Sequence, residues 1–188
     1  MPDRYRKKEM KIEFGGGKNI RPGFVPCDVR PLGHIEYVCN CWEIDQHVPE
    51  SSVEEIYSRH MFEHLTFQQG RMALMSWHRI LKVDGKVNLV MPDFKYHAEE
   101  YIKYYNNRDL NPKTMPGFQH AIASIFGWQR EGEDTGFFTS DKKLWDVHKS
   151  GYDEISLKQL VESYGYKNFE RQENPKGKWH LDVTFFKE

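Results

Sequence analysis

A chain of 188 residues, 38% of them apolar and 14% aromatic, has enough material for one hydrophobic core, and that aromatic share excludes a disordered polymer. With 27 basic against 28 acidic side chains the formal net charge is -1, so no global field draws the protein to nucleic acid or to an anionic membrane; only the N-terminal tail, residues 4–11, is locally basic. The tail lacks the apolar stretch of a secretion signal, and no later segment approaches the roughly 18 apolar residues of a membrane span, which predicts a cytoplasmic protein.

Taken in chain order, short apolar runs predict strands at residues 11–14, 24–27, 35–38 and 53–57. Between the first two lies only 18–23, where Arg21-Pro22-Gly23 leaves room for one turn, so the first crossover helix is truncated. A helix over 66–82 carries Ala73, Leu74, Trp77, Ile80 and Leu81 at helical spacing, and Asp84-Gly85 is expected to end it and lead into a strand at 86–91. About sixty residues then separate this strand from a helix beginning at Ser156, where Ser156 and Gln159 have capping-box spacing, and ending at Tyr164-Gly165. That is too long for a plain crossover, and residues 95–149 read as a substrate-binding insertion. Strands at 167–171 and 181–186, joined by a tight turn at 174–177, complete the chain. The alternation predicts one α/β domain over 1–188, Rossmann-like, with a mostly parallel seven-stranded sheet and an antiparallel C-terminal strand.

Cys27, Cys39 and Cys41 are odd in number and clustered, which argues for reduced thiols rather than a disulfide framework. His34 and His47 lie nearby, but without a Cys-x-x-Cys pair the cysteines read as small buried hydrophobes. The segment His60-Met-Phe-Glu-His64 does not meet the zinc motif His-Glu-x-x-His, so no metal is expected.

The chemistry begins at Lys11-Ile-Glu-Phe-Gly-Gly-Gly-Lys18 followed by Cys27-Asp28. A strand running into glycines lets the backbone approach a ligand closely, and Asp28 ends the neighbouring strand, where a carboxylate can accept ribose hydroxyls. A dinucleotide fingerprint would need glycine at position 20, which is Ile20, and an acid about twenty residues on. A phosphate loop would need Ser or Thr after Lys18, where Asn19 stands. What remains is a nucleoside cofactor without essential phosphates.

Glu13-Phe-Gly-Gly-Gly17 resembles the acid-x-Gly-x-Gly loop of class I S-adenosylmethionine-dependent methyltransferases. Ser52-Val-Glu-Glu-Ile-Tyr-Ser-Arg-His-Met-Phe-Glu-His-Leu65 resembles the fourth strand and following loop of the type 11 methyltransferase family, which often reads S-V-D-E-I-Y-x-x-H-x-L-E-H-L. Trp77-His-Arg-Ile-Leu-Lys-Val-Asp-Gly85 is similar to that family's R-V-L-K-P-G-G helix end. Ile125-Phe-Gly-Trp-Gln129 and His148-Lys-Ser-Gly-Tyr152 are similar to the I-Y-G-G-Q and H-K-x-G-F of a subgroup linked by sequence context to glycan biosynthesis.

The resemblance implies that S-adenosyl-L-methionine lies across the strand ends, with Glu13, Gly15, Gly16 and Gly17 at its methionyl part and Asp28 at its ribose. Asn40 falls where an aspartate often contacts adenine, Cys41 and Trp42 would wall the ring, and Arg59 and His60 would border the sulfonium and carboxylate. Asn40 for aspartate and Trp128 for glycine depart from the pattern. Trp42 has a second reading as core packing.

Methyl transfer needs an aligned acceptor, and a hydroxyl acceptor also benefits from a base that is neutral near pH 7. His60, His64 and His148 are of that type, His64 and His148 foremost; Asp93, directly after the fifth strand, either orients the acceptor or caps a turn. Tyr96, Tyr101, Tyr104, Tyr105 and Trp128 offer an aromatic floor, although 101, 104 and 105 also have the spacing of a helix core stripe. Residues 130–140 have little apolar surface and read as a mobile cover. The expected activity is methyl transfer to oxygen or nitrogen of a small-molecule or saccharide acceptor; the alternative is a non-catalytic ligand-binding or partner module on the same fold.

Overall fold

The computed structural model describes residues 9–18, 20–106, 116–127, 147–173 and 177–188. Seven strands form one sheet: β1 (Met10–Phe14), β2 (Val25–Asp28), β3 (Tyr37–Val38), β4 (Val53–Arg59), β5 (Leu81–Pro92), β6 (Tyr166–Arg171) and β7 (His180–Lys187). Their order is β3-β2-β1-β4-β5-β7-β6, parallel except for β7, which runs antiparallel to β5 and to β6. The expected α/β architecture is therefore present, and each predicted strand has its counterpart. Among the described residues between β1 and β2 there is a turn and no helix, as the short spacing required.

Among the described residues four α-helices flank the sheet: α1 (Phe67–Ile80), α2 (Phe94–Asn106), α3 (Pro116–Phe126) and α4 (Glu154–Glu162). Thr66 starts α1 by a capping box with Gln69, satisfying two backbone donors at the helix mouth. The inward stripe Ala73, Leu74, Trp77 and Ile80 is fully buried, and Trp77 stacks on Phe14 of β1 with ring centroids 4.9 Å apart. The Tyr166 hydroxyl donates to the Leu74 carbonyl at 2.8 Å, so the tyrosine at the head of β6 is buried with its polar tip satisfied. Among the described residues no helix is long and apolar enough to cross a membrane.

Two boundaries differ from the sequence expectation. The α4 cap is Asp153, whose carboxylate accepts from the Ser156 backbone while the Ser156 hydroxyl accepts from Asp153 N; Ser156 is the third helical residue, not the first. Strand β5 begins at Leu81, before Asp84-Gly85, which lie inside it as an irregularity. Asp84 has a left-handed backbone, φ 59°, and the register moves from Val53↔Leu81 to Glu55↔Lys86, so the chain turns locally and resumes pairing with the same neighbour. The turn proposed at 174–177 and the cover at 130–140 lie outside or largely outside the described residues, as does Trp128.

Candidate functional site

The strand order reverses between β1 and β4, and in open α/β sheets ligands bind in the crevice beyond the carboxyl ends of strands at such a switch. On the β1 side the chain leaves the sheet through Gly15 and Gly17, with φ 73° and 60°, backbone conformations that side chains resist. The space is tight as well: a Cβ on Gly15 would lie 2.7 Å from the Met61 side chain, and one on Gly17 2.9 Å from Arg30 Nη2. Glu13, buried at the end of β1, accepts from Arg21 N at 2.6 Å and so folds the turn back on the strand. The Arg21 guanidinium stacks 3.7 Å from the centroid of the Tyr57 ring.

Asp28 ends β2 beside this loop and is buried. Its Oδ1 accepts from Arg30 N and Nε, each at 2.9 Å, and its Oδ2 from Arg30 Nη2 at 2.7 Å and Gly17 N at 3.3 Å. Burial alone would push the Asp28 carboxyl up, but the hydrogen bonds and charge of Arg30 outweigh it and hold the group below the usual carboxylate range. The carboxylate predicted to meet a ribose is thus already engaged within the chain, by a residue the sequence reading did not single out.

The residues expected around adenine divide. Asn40 donates to Glu43 Oε2 at 2.9 Å; Cys41 is buried and its carbonyl accepts from Trp77 Nε1 at 3.0 Å; Trp42 is half-buried against the edge of the core. Cys27 Sγ of β2 lies 3.6 Å from the Sγ of Cys39, which directly follows β3, and His34 Nε2 contacts the Gly17 carbonyl at 2.7 Å.

On the other side of the switch lies a cavity of about 320 Å³ lined by six histidines: His60, His64, His97, His120, His148 and His180, with Glu63 and Trp179. The fold gathers them from the loop after β4, from α2 and α3, from the segment before α4, and from the start of β7, where His180 pairs with Pro92 at the end of β5. The rings meet in pairs: His60 with His180 at 4.8 Å, His64 with His148 at 5.0 Å, His97 with His120 at 5.2 Å. Burial and the neighbouring imidazole push His97 down to about 4, and burial with His60 does the same to His180, so both are neutral at pH 7. Met61, which touches the glycine loop, directly follows His60, which lines the cavity; the two halves of the site share this loop. His60 has a left-handed backbone, φ 50°, an uncommon conformation for a residue with a side chain.

His64 and His148, named from sequence as candidate bases, stand face to edge in this cavity, and His60 joins them there. Asp93 does not line it. Its Oδ1 accepts from Tyr96 N at the start of α2 and its Oδ2 pairs with Arg171 at 2.8 Å, so the carboxylate is committed to capping and to an ion pair. Arg59 is exposed at the end of β4. The tyrosines of 96–105 do not line the cavity either; Tyr101 stacks on Phe118 at 5.5 Å and Tyr104 packs on Gly117, which joins α2 to α3. Sequence reasoning missed Glu63, His97, His120 and His180, although a histidine three residues before a glutamate just past a strand was a visible signal.

No family model matches the sequence, and no curated protein does either. Solved structures match its fold. A SAM-dependent methyltransferase from Archaeoglobus fulgidus aligns with a TM-score of 0.57 at 11% identity, over 96% of this chain and 87% of its own. Another from Thermotoga maritima gives 0.55 at 11% identity, over 95% and 82%. Human N-acetylserotonin methyltransferase, solved with SAM, gives 0.53 at 10% identity, over 95% of this chain and 47% of its own, so the chain spans about half of that enzyme. At such identities the likeness is one of fold, and the fold is that of class I SAM-dependent methyltransferases.

Proposed function

We propose that this protein is an S-adenosylmethionine-dependent methyltransferase of the type 11 kind, acting in the cytoplasm at oxygen or nitrogen of a small-molecule or saccharide acceptor. In this reading residues 1–188 form one catalytic domain with a basic tail at 1–10, and residues 95–149 build the acceptor side. One observation carries the proposal: a glycine loop facing a buried aspartate and a polar cavity flank a single loop, His60-Met61, at the point where the strand order reverses. The motif segments quoted above support the family, and the sequence context of their subgroup supports a glycan acceptor.

The residues present fit this cofactor. Gly15 and Gly17 have the backbone that admits a close approach, and Asp28 offers a buried carboxylate at the end of β2. When bound, the cofactor supplies an electrophilic methyl group on a sulfonium. Gly15, Gly16 and Gly17 would hold its methionyl part, Asp28 its ribose, Asn40, Cys41 and Trp42 its adenine, and Arg59 and His60 its charged end. The cavity would hold the acceptor in line, and alignment of this kind is worth roughly 7 to 11 kcal/mol in favourable cases. A neutral imidazole there can take the acceptor's proton. His64 and His148 are poised for it, because each presents Nδ1 to a backbone carbonyl, which leaves the lone pair on Nε2.

The full engagement of Asp28 by Arg30 favours a second reading, a module that has kept the fold and lost the cofactor. Calorimetry with adenosylmethionine and adenosylhomocysteine separates the two. Saturable binding at one site, weakened by about 1.5 to 3 kcal/mol in Asp28→Ala, is the expected result for the enzyme. No binding of either compound leaves the module. Mass spectrometry of a glycan and metabolite library incubated with labelled cofactor then identifies the acceptor.

A further inference from the structure

Glu63 is the most isolated charge in the cavity. It is 2% exposed; Oε1 contacts His60 Nδ1 at 3.2 Å, and Oε2 has no hydrogen-bond partner among the described residues. No lysine or arginine lines the cavity among those residues. A buried carboxylate without a full complement of partners is costly, and native proteins resolve that cost with a cation or a proton.

Two imidazoles stand beside it. One ligand atom each of Glu63, His64 and His148 falls within 4.8 Å of the other two. The chain is built to hold them so: Lys149 N and Ser150 N both donate to the Glu63 carbonyl, at 2.8 and 3.2 Å, strapping the segment that carries His148 onto the one-turn helix Phe62–His64. His64 Nδ1 meets the Val147 carbonyl at 3.2 Å and His148 Nδ1 the Ser124 carbonyl at 2.7 Å. A ring nitrogen facing a carbonyl must carry the proton, so both Nε2 atoms carry lone pairs, and this backbone anchoring is how metal-binding histidines have their tautomer and orientation fixed.

We propose that Glu63, His64 and His148 bind a divalent transition-metal ion of the zinc class, leaving a coordination position open to the cavity. Two imidazoles and one carboxylate form a donor set of borderline softness that suits Zn²⁺ or Co²⁺ and disfavours Mg²⁺ and Ca²⁺, which prefer oxygen cages. A tetrahedral ion with bonds of about 2.0–2.2 Å sets its ligands about 3.3–3.6 Å apart, so the distances within the triad would close by about 1.2 to 1.5 Å at most. The ion would give Glu63 its missing counter-charge. The same lone pairs cannot be ligands and proton acceptors at once, so a filled site moves the proton-accepting task from His64 and His148 to the other imidazoles of the cavity.

The test uses untagged full-length protein, stripped with EDTA and then freed of it, with no adenosylmethionine present, so that the outcome is independent of the methyltransferase reading. Calorimetry with Zn²⁺ should give one site per chain, and Co²⁺ should produce visible d–d absorption that Zn²⁺ bleaches. Glu63→Gln and His148→Gln should each lose more than the roughly 10- to 100-fold that removal of an outer-shell partner costs. His47→Gln, at an exposed position past the short helix Ile44–Gln46, should bind as the parent does. Should a variant fail to fold, the parent alone decides: equimolar Zn²⁺ should raise its melting temperature and Mg²⁺ should not. Absence of saturable binding, equal binding in both cavity variants, or an equal effect of Mg²⁺ would overturn the proposal.

Discussion

The two sides of the crevice handle buried charge in opposite ways. On the glycine-loop side the buried carboxylates are met within the chain: Asp28 accepts four hydrogen bonds, Glu13 closes the turn onto Arg21 N, and the Gly17 carbonyl meets His34. On the cavity side polar atoms are left over. Glu63 Oε2, His97 Nδ1 and His180 Nδ1 are buried without a hydrogen-bond partner among the described residues. A satisfied site must release something before it binds, whereas an unsatisfied one gains partners by binding. The difference assigns the first side a competition and the second a demand.

The most direct way to break this comparison is to make one chemical change on both sides. Asp28→Asn puts amide hydrogens in front of two donor groups, whichever oxygen the amide replaces, and removes the charge that Arg30 neutralises, so the protein should lose about 1.5 to 3 kcal/mol of unfolding free energy. Glu63→Gln removes a charge whose Oε2 has no partner, so the metal-free protein should be as stable as the parent or up to about 1 kcal/mol more so. Urea denaturation in EDTA reads both. Equal losses would mean that Glu63 is as well satisfied as Asp28.

A second effect, of about 2 kcal/mol at pH 5, comes from His97 on the α2 wall of the cavity. Burial is the main reason its folded value is about 4, with His120 adding to it; the Trp179 carbonyl, Asp93 and Glu100 oppose. The unfolded chain takes up this proton near 6.5, so between about 6.5 and 4 the unfolded state holds more protons and stability falls as pH falls. Above 6.5 the residue is neutral in both states and contributes no slope. Asp28, Asp45 and Glu55 have lowered values, so their contributions fade only as pH drops below about 5, which leaves pH 5–7 to the histidines. Melting curves across that window should lose about one proton of slope in His97→Gln. An unchanged slope would show that His97 is not held neutral.

The glycine side was far more legible in the sequence than the cavity, for a physical reason. Residues 11–28 are a local motif in which strand, turn and acid follow one another, so the spacing together with Asn19 and Ile20 separates this loop from dinucleotide and phosphate loops. The cavity is assembled from five stretches of chain, and nothing local ties His148 to Glu63 or His180 to Pro92; only the register of β5 with β7 and the strap from Lys149 and Ser150 do so. Boundaries failed where two local rules competed. Asp153-x-x-Ser156 and Ser156-x-x-Gln159 both have capping spacing, and the parallel bridge of Tyr152 with Asp93 fixes the chain just before the first of them. Asp84-Gly85 does turn as its residues dictate, but β4 continues beside it and recovers the pairing on both sides.

The smallest expected effect is the sharpest test of the competition at Asp28. A carboxylate offers about four lone-pair sites, and here Arg30 N, Nε and Nη2 together with Gly17 N take all four. Ribose hydroxyls can enter only if the guanidinium leaves, since the two backbone donors belong to the turn itself. The Arg30 side chain is 33% exposed, so its release costs about what a partly exposed ion pair is worth, roughly 0.2 to 1 kcal/mol. Arg30→Met keeps the apolar stem, removes the guanidinium and frees two sites on the carboxylate. Adenosylhomocysteine should then bind about 1.5- to 5-fold more tightly by calorimetry, the fold-change equivalent of that energy. Because the gain acts through the carboxylate, it should vanish when Asp28→Asn is also present. Weaker binding in Arg30→Met would mean that the arginine presents Asp28 to the ribose instead of competing with it, and the glycine side would then be a prepared site in the same sense as the cavity.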